Sequence, residues 1–183
     1  MLDNKLKKIN PKNPDKPYHQ YNNIMKNIYI GNYKSAQNKT FFKKHNIKAV
    51  LNCTENIPNY FCNLKIEYMR IPVDDSLKAK DFLKMYNHLF PAIYFIYKHA
   101  VLNNSPILIH CRLGRQRSVT CVIAYLMYFH NMSMIDSANF ISKKRLESLH
   151  FNTSFNFKQT LQVFEKDIQS CKFKKRTPKF YNE

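Results

Sequence analysis

The chain has 183 residues, 44% of them hydrophobic and 14% aromatic, which is enough apolar surface to close a sizeable core within one domain. Thirty Lys plus Arg against 12 Asp plus Glu give a formal charge of +18, a field that favours phosphorylated, nucleic-acid or acidic-membrane partners and discourages basic ones. The longest uninterrupted apolar run, Cys121 to Phe129, is far short of the roughly 20 residues of a membrane helix. The first residues also lack the apolar centre of a secretory signal, so the expectation is a soluble intracellular protein with no integral membrane segment.

Residues 1–26 are rich in Lys, Asn and Pro and read as a basic N-terminal extension, while 171–183 read as a basic C-terminal tail. Between them, 27–170 form the expected domain. "NIYIGN" is its first strand, followed by a helical pattern in "SAQNKTFFKKH" and a second strand in "IKAVLNCT". An extended stretch, "LKIEYMRIPV", precedes a long helix from about Lys80 to Val101, and "PILIHC" is the fourth strand. Three helices close the chain: "RSVTCVIAYLMYFH", "MIDSANFISKKRLES" and "NFKQTLQVFEKDI". Strands alternating with helices predict an α/β domain with a mostly parallel central sheet flanked by helices. The helix after Arg117 is apolar nearly all round and is therefore expected to be central.

The five cysteines (Cys53, Cys62, Cys111, Cys121, Cys171) show no CxxC pairs and no Cys/His cluster, which argues against a disulfide framework or a zinc site. Cys111 stands apart. It follows the apolar strand "PILIH" and opens "CRLGRQRS", where three arginines fall within six residues. One of only two glycines, Gly114, lies in that loop, where a tight turn needs a positive φ or a close backbone approach. A loop from Cys111 to Arg117 closing onto a helix N-terminus turns successive N–H groups inward and makes an anion cradle. Arg117 adds a bidentate fork for two phosphate oxygens. The same surroundings depress the Cys111 thiol pKa and leave a thiolate facing an electrophilic phosphorus.

"HCRLGRQRS" resembles the signature of the cysteine-dependent protein-tyrosine-phosphatase superfamily: His-Cys, five residues, Arg, then Ser or Thr. The resemblance is closest to the small dual-specificity phosphatases, virus-encoded members included. It extends through "IYIGNYKSA", "VLNCT", "RIPVDDS" and "NTSFNFKQ", covering about residues 24 to 168.

The resemblance implies that Cys111 forms a phosphocysteine, and that Arg117 stabilises the transferring phosphoryl group together with the loop Arg112, Leu113, Gly114, Arg115 and Gln116. No metal or cofactor is implied. Ser118 either hydrogen-bonds the cysteine sulfur or simply caps the helix. His110 either orders the loop or is an ordinary core histidine. The implied general acid lies three residues after Pro72, which gives Asp75, with Asp74 as a loop cap.

Implied substrates are phosphotyrosine and phosphoserine/threonine proteins in the cytoplasm or nucleus, or in host cytoplasm or virion for a viral protein. Arg112 and Arg115 sit at variable positions where protein-directed relatives carry smaller or neutral residues. They open an alternative: acidic phospholipid, phosphoinositide or RNA 5′-phosphate substrates. A phospho-binding pseudophosphatase is a third, disfavoured reading. Cys53, at the end of the second strand, is either a packed thiol or a reversible disulfide partner for Cys111. Oligomeric state is left open.

Overall fold

In a computed structural model of the chain, residues 19–76, 78–148 and 157–170 are described. Strands β1 (Tyr21–Met25) and β2 (Ile28–Gly31) pair antiparallel around a turn in which Asn27 takes the left-handed conformation, φ 64°. Asn tolerates this region better than other residues with a Cβ, and Asn46, Asn104 and Asn131 also adopt it. Two short helices follow, α1 (Tyr33–Gln37) and α2 (Lys39–Lys44). Then come β3 (Ala49–Asn52), β4 (Glu67–Arg70) and the long α3 (Ala79–Tyr97), which ends in a π-helical turn at Lys98–Leu102. Strand β5 (Ile107–His110) leads to α4 (Arg117–His130), α5 (Met134–Lys144) and α6 (Lys158–Gln169).

The sheet order is β1-β2-β5-β3-β4, and every pairing except β1 with β2 is parallel. Its two faces divide the apolar residues by the two-residue period of a strand. Ile107 and Ile109 of β5 and Ala49 and Leu51 of β3 join the large core beneath α3, α4, α5 and α6. Leu108 and Val50 point the other way, toward Phe41, Phe42 and Ala36 of α1 and α2. The helix expected to be central is so: every residue of α4 from Arg117 to Tyr128 is buried.

Two local features differ from expectation. "SAQNKTFFKKH" forms two helices because the Asn38 side chain accepts from Phe41 N at 2.9 Å and starts a second one. Strand β1 lies inside the segment assigned to the N-terminal extension, so the sheet starts before residue 27. Residues 1–18, the tail 171–183 with Cys171, and the start of "NFKQTLQVFEKDI" at Asn156 lie outside the described residues.

Candidate active site

The central strand β5 ends at His110, whose carbonyl accepts from Cys53 N at 2.8 Å and so fixes the start of the following loop to the end of β3. Cys111 comes next and is only 2% exposed. Its Sγ accepts from Gly114 N at 3.2 Å and from Ser118 Oγ at 3.4 Å. Burial alone pushes the Cys111 thiol pKa up. The Arg117 guanidinium, the Ser118 hydroxyl and the backbone N–H groups of Ser118 and Arg115 outweigh that burial, and the net pKa lies below the ordinary thiol value. Burial has the opposite sign for an imidazole. The His110 pKa is pushed down to about 4, with help from the Arg70 and Arg117 charges and against a hydrogen bond with the Cys111 backbone. His110 is therefore neutral at physiological pH, so no imidazolium is there to act as the acid.

Gly114 has φ +67°, and a Cβ there would lie 2.5 Å from the Gly31 carbonyl oxygen. The chain's two glycines thus sit against each other, β2's end against the loop. Backbone contact, rather than φ alone, excludes any larger residue at Gly114.

Arg117, the first residue of α4 and 7% exposed, faces the segment after β4. Its Nη1 donates to Val73 O at 3.0 Å, and its Nε lies 3.9 Å from Asp75 Oδ2. Asp74 is exposed, and its Oδ1 accepts from the N–H of the next residue, Asp75, at 2.8 Å. Ser76 donates to the buried carboxylate of Asp81 in the first turn of α3, and Ser76 Oγ accepts from Lys78 N at 3.2 Å. The segment carrying Asp75 is therefore tied down on both sides, to α4 through Arg117 and to α3 through Asp81.

The structure thus brings Cys111, Gly114, Arg117, Ser118 and Asp75 together, with His110 beneath them. Arg112, Leu113 and Arg115 are exposed at the rim, and Gln116 is half-buried. Cys53 lies with its Sγ 3.7 Å from Cys121 Sγ. Burial and that contact push the Cys53 thiol pKa well up, so it is held as the weakly nucleophilic thiol.

Three contributors were not legible from spacing. Arg70 donates to the carbonyls of Thr54 and Ile57 at 2.8 and 2.9 Å and shapes the turn after β3. Asp81 anchors Ser76. Arg145, just past α5, is fully buried and reaches the loop from behind, with Nε 2.8 Å from Gly114 O. One signal does exist in the sequence. Lysine carries most of the charge here, and the five arginines among the described residues (Arg70, Arg112, Arg115, Arg117 and Arg145) all gather around this loop.

An α/β layer that ends its central strand in a depressed thiol, an N–H cradle and a buried guanidinium is the architecture of a cysteine-dependent phosphatase of the protein-tyrosine-phosphatase superfamily. Residues 28–167 match the family described as dual specificity phosphatase, catalytic domain, and the chain belongs to that family. It is 32% identical over 148 residues to human dual specificity protein phosphatase 9, covering 80% of this chain and 36% of that protein. Mouse dual specificity protein phosphatase 6 is 31% identical over 162 residues, covering 86% of this chain and 40% of that protein. The chain therefore spans well under half the length of these curated relatives. The crystal structure of human DUSP28 superposes with a TM-score of 0.72 at 19% identity, covering 84% of this chain and 97% of that one, a likeness of fold.

Proposed function

We propose that this domain hydrolyses phosphotyrosine and phosphoserine/threonine esters on proteins through a phosphocysteine intermediate. The observation that carries this reading is that one guanidinium, that of Arg117, both lowers the Cys111 pKa and lies 3.9 Å from the Asp75 carboxylate. In the first step the Cys111 sulfur forms an S–P bond as the ester P–O bond breaks, and the Asp75 carboxyl delivers its proton to the departing oxygen. Arg117 and the loop N–H groups hold the three equatorial phosphoryl oxygens. In the second step the Asp75 carboxylate takes a proton from water, the water oxygen bonds to phosphorus, and the P–S bond breaks. Ser118 Oγ, already directed at the sulfur at 3.4 Å, donates to the departing thiolate. Inorganic phosphate and the starting enzyme result.

Asp75→Asn is expected to lower kcat for an alkyl phosphate such as a phosphothreonine peptide by about 100-fold or more, within the range attributed to general acids. The loss for a substrate whose leaving group needs no proton should be much smaller. Asp74→Asn is expected to change kcat by less than about threefold, because that carboxylate serves the backbone. Steady-state assays of both variants on good and poor leaving groups test the assignment. A slower Asp74 variant would move the acid to that position.

The exposed Arg112 and Arg115 favour a second reading, in which the phosphate belongs to a polyanionic phospholipid or RNA 5′ end. Turnover of phosphotyrosine peptide, phosphoinositide vesicles and 5′-triphosphate RNA, measured side by side at one ionic strength, separates the two. The protein reading expects the highest kcat/KM on the peptide, and Arg112→Ala with Arg115→Ala should then leave hydrolysis of an uncharged-flank peptide within about threefold, as for rim charges.

A further inference from the structure

Arg145 is the largest side chain among the fully buried residues described, and its charge lies behind the loop that Cys111 opens. Its position is fixed before its guanidinium is considered. Its backbone N–H donates to Ile141 O at 2.8 Å, and its carbonyl accepts from Ser148 Oγ at 2.6 Å. From there Nε donates to Gly114 O at 2.8 Å and Nη2 to Leu113 O at 3.4 Å. On its other edge Nη1 donates to Asn22 Oδ1 at 2.5 Å and to His19 O at 3.4 Å, so the fork spans from the start of β1 to the loop.

The peptide unit is planar and trans, so the C=O and N–H of one unit point in opposite directions. The carbonyl of Leu113 shares its plane with the N–H of Gly114, which donates to Cys111 Sγ at 3.2 Å. The carbonyl of Gly114 shares its plane with the N–H of Arg115, which also faces that sulfur. Immediately upstream, Arg112 O accepts from Tyr33 N at 3.2 Å, which sets the plane carrying the Leu113 N–H. Three consecutive carbonyls are thus held from outside the loop, and two of them by one side chain.

We propose that Arg145 is a positioning residue for the phosphate site: by gripping the carbonyls of Leu113 and Gly114 it aims the N–H groups of Gly114 and Arg115 at the sulfur and at the transferring phosphoryl group. The proposal rests on the phosphatase reading for its catalytic consequence. A planar fork is required. Nε and Nη2 meet adjacent carbonyls simultaneously, whereas a lysine ammonium is a single centre on a flexible stem. The small space at Gly114 belongs to the same arrangement, since a Cβ there would approach Arg145 Nη2 to 2.7 Å.

The test uses Arg145→Lys and Arg145→Met in the full chain, with thermal unfolding to confirm that each variant is folded. Two readouts are taken: kcat on p-nitrophenyl phosphate, and the pH dependence of Cys111 alkylation by iodoacetate. In both variants kcat is expected to fall by about 10- to 100-fold, the scale of a misplaced catalytic donor, and the alkylation midpoint to move to higher pH. A residue that only supports the fold would lower the unfolding temperature and leave the alkylation midpoint of the folded protein unchanged. A folded Arg145→Lys protein with wild-type kcat and a wild-type midpoint overturns the proposal. Should neither variant fold, a crystal structure of the wild type with bound tungstate decides. Leu113 and Gly114 carbonyls on the guanidinium, with the Gly114 and Arg115 N–H groups on the oxyanion, support it; a guanidinium off those carbonyls overturns it. Alkylation reads the loop whatever the substrate, so a wild type that fails to turn over phosphopeptides would sink the function reading separately.

Discussion

Cys111→Ser is expected to reduce kcat on any phosphomonoester by on the order of 10⁴-fold or more, the scale seen when a covalent nucleophile is removed. The reason lies in what the loop holds. Gly114 N, Ser118 Oγ and the Arg117 charge stabilise a thiolate at the end of β5. A serine hydroxyl placed there ionises far less readily, and the adjacent His110, with its pKa pushed down to about 4, is too weak a base to activate it. Steady-state turnover with rapid-quench detection of the phosphoenzyme checks this. The wild type should show a covalent intermediate and the variant none, while phosphate or vanadate still binds the variant. A serine variant within tenfold of wild type would mean that water attacks phosphorus directly.

The second large effect belongs to Arg117. Arg117→Lys is expected to cost about 10²- to 10³-fold in kcat, because a point charge replaces a fork that is to take two phosphoryl oxygens. A second loss is bound up with the first. The same guanidinium holds Val73 O at 3.0 Å and lies 3.9 Å from Asp75 Oδ2, so the lysine variant is also expected to loosen the segment that carries Asp75, the proposed acid. Arg117→Lys and Asp75→Asn should therefore be strongly non-additive, the double variant being little slower than the worse single one. Full additivity in a double-mutant cycle would show that the arginine acts on phosphate alone.

Much of this site could be read from the sequence because its parts are neighbours in the chain. Cys111, Gly114, Arg117 and Ser118 lie within eight residues, and a strand that ends where a helix begins needs no tertiary information to be recognised. Asp75 was reachable only by counting from Pro72, and what separates it from Asp74 is tertiary: one carboxylate meets Arg117 while the other accepts from the next backbone N–H. Arg145 was out of reach of spacing, since it meets Gly114 across 31 residues and Asn22 across 123. Its sequence context, "SKKRLES", looks like a solvated helix end. The fold followed the same division. The alternation of Ile107, Leu108 and Ile109 between two apolar layers is a local pattern, and so is the apolar girth of α4. Strand β1 was hidden because "YNNIM" carries two adjacent Asn and a single β-branched residue, and it gains its place by pairing with β2 and burying Ile24. The split of α1 from α2 was hidden because Asn38 is a weak signal until its side chain is seen to cap Phe41 N.

The gathering of arginines at the loop has a consequence for how the protein responds to covalent modification. Lysine acetylation removes positive charge, and lysines supply most of the +18 on this chain. The cations around the phosphate site (Arg70, Arg112, Arg115, Arg117 and Arg145) are a different residue type, which acetyl transfer does not touch. On the proposed function, the long-range field of the lysines and the arginine-lined phosphate pocket are therefore chemically separable, and acetylation weakens the first without altering the second.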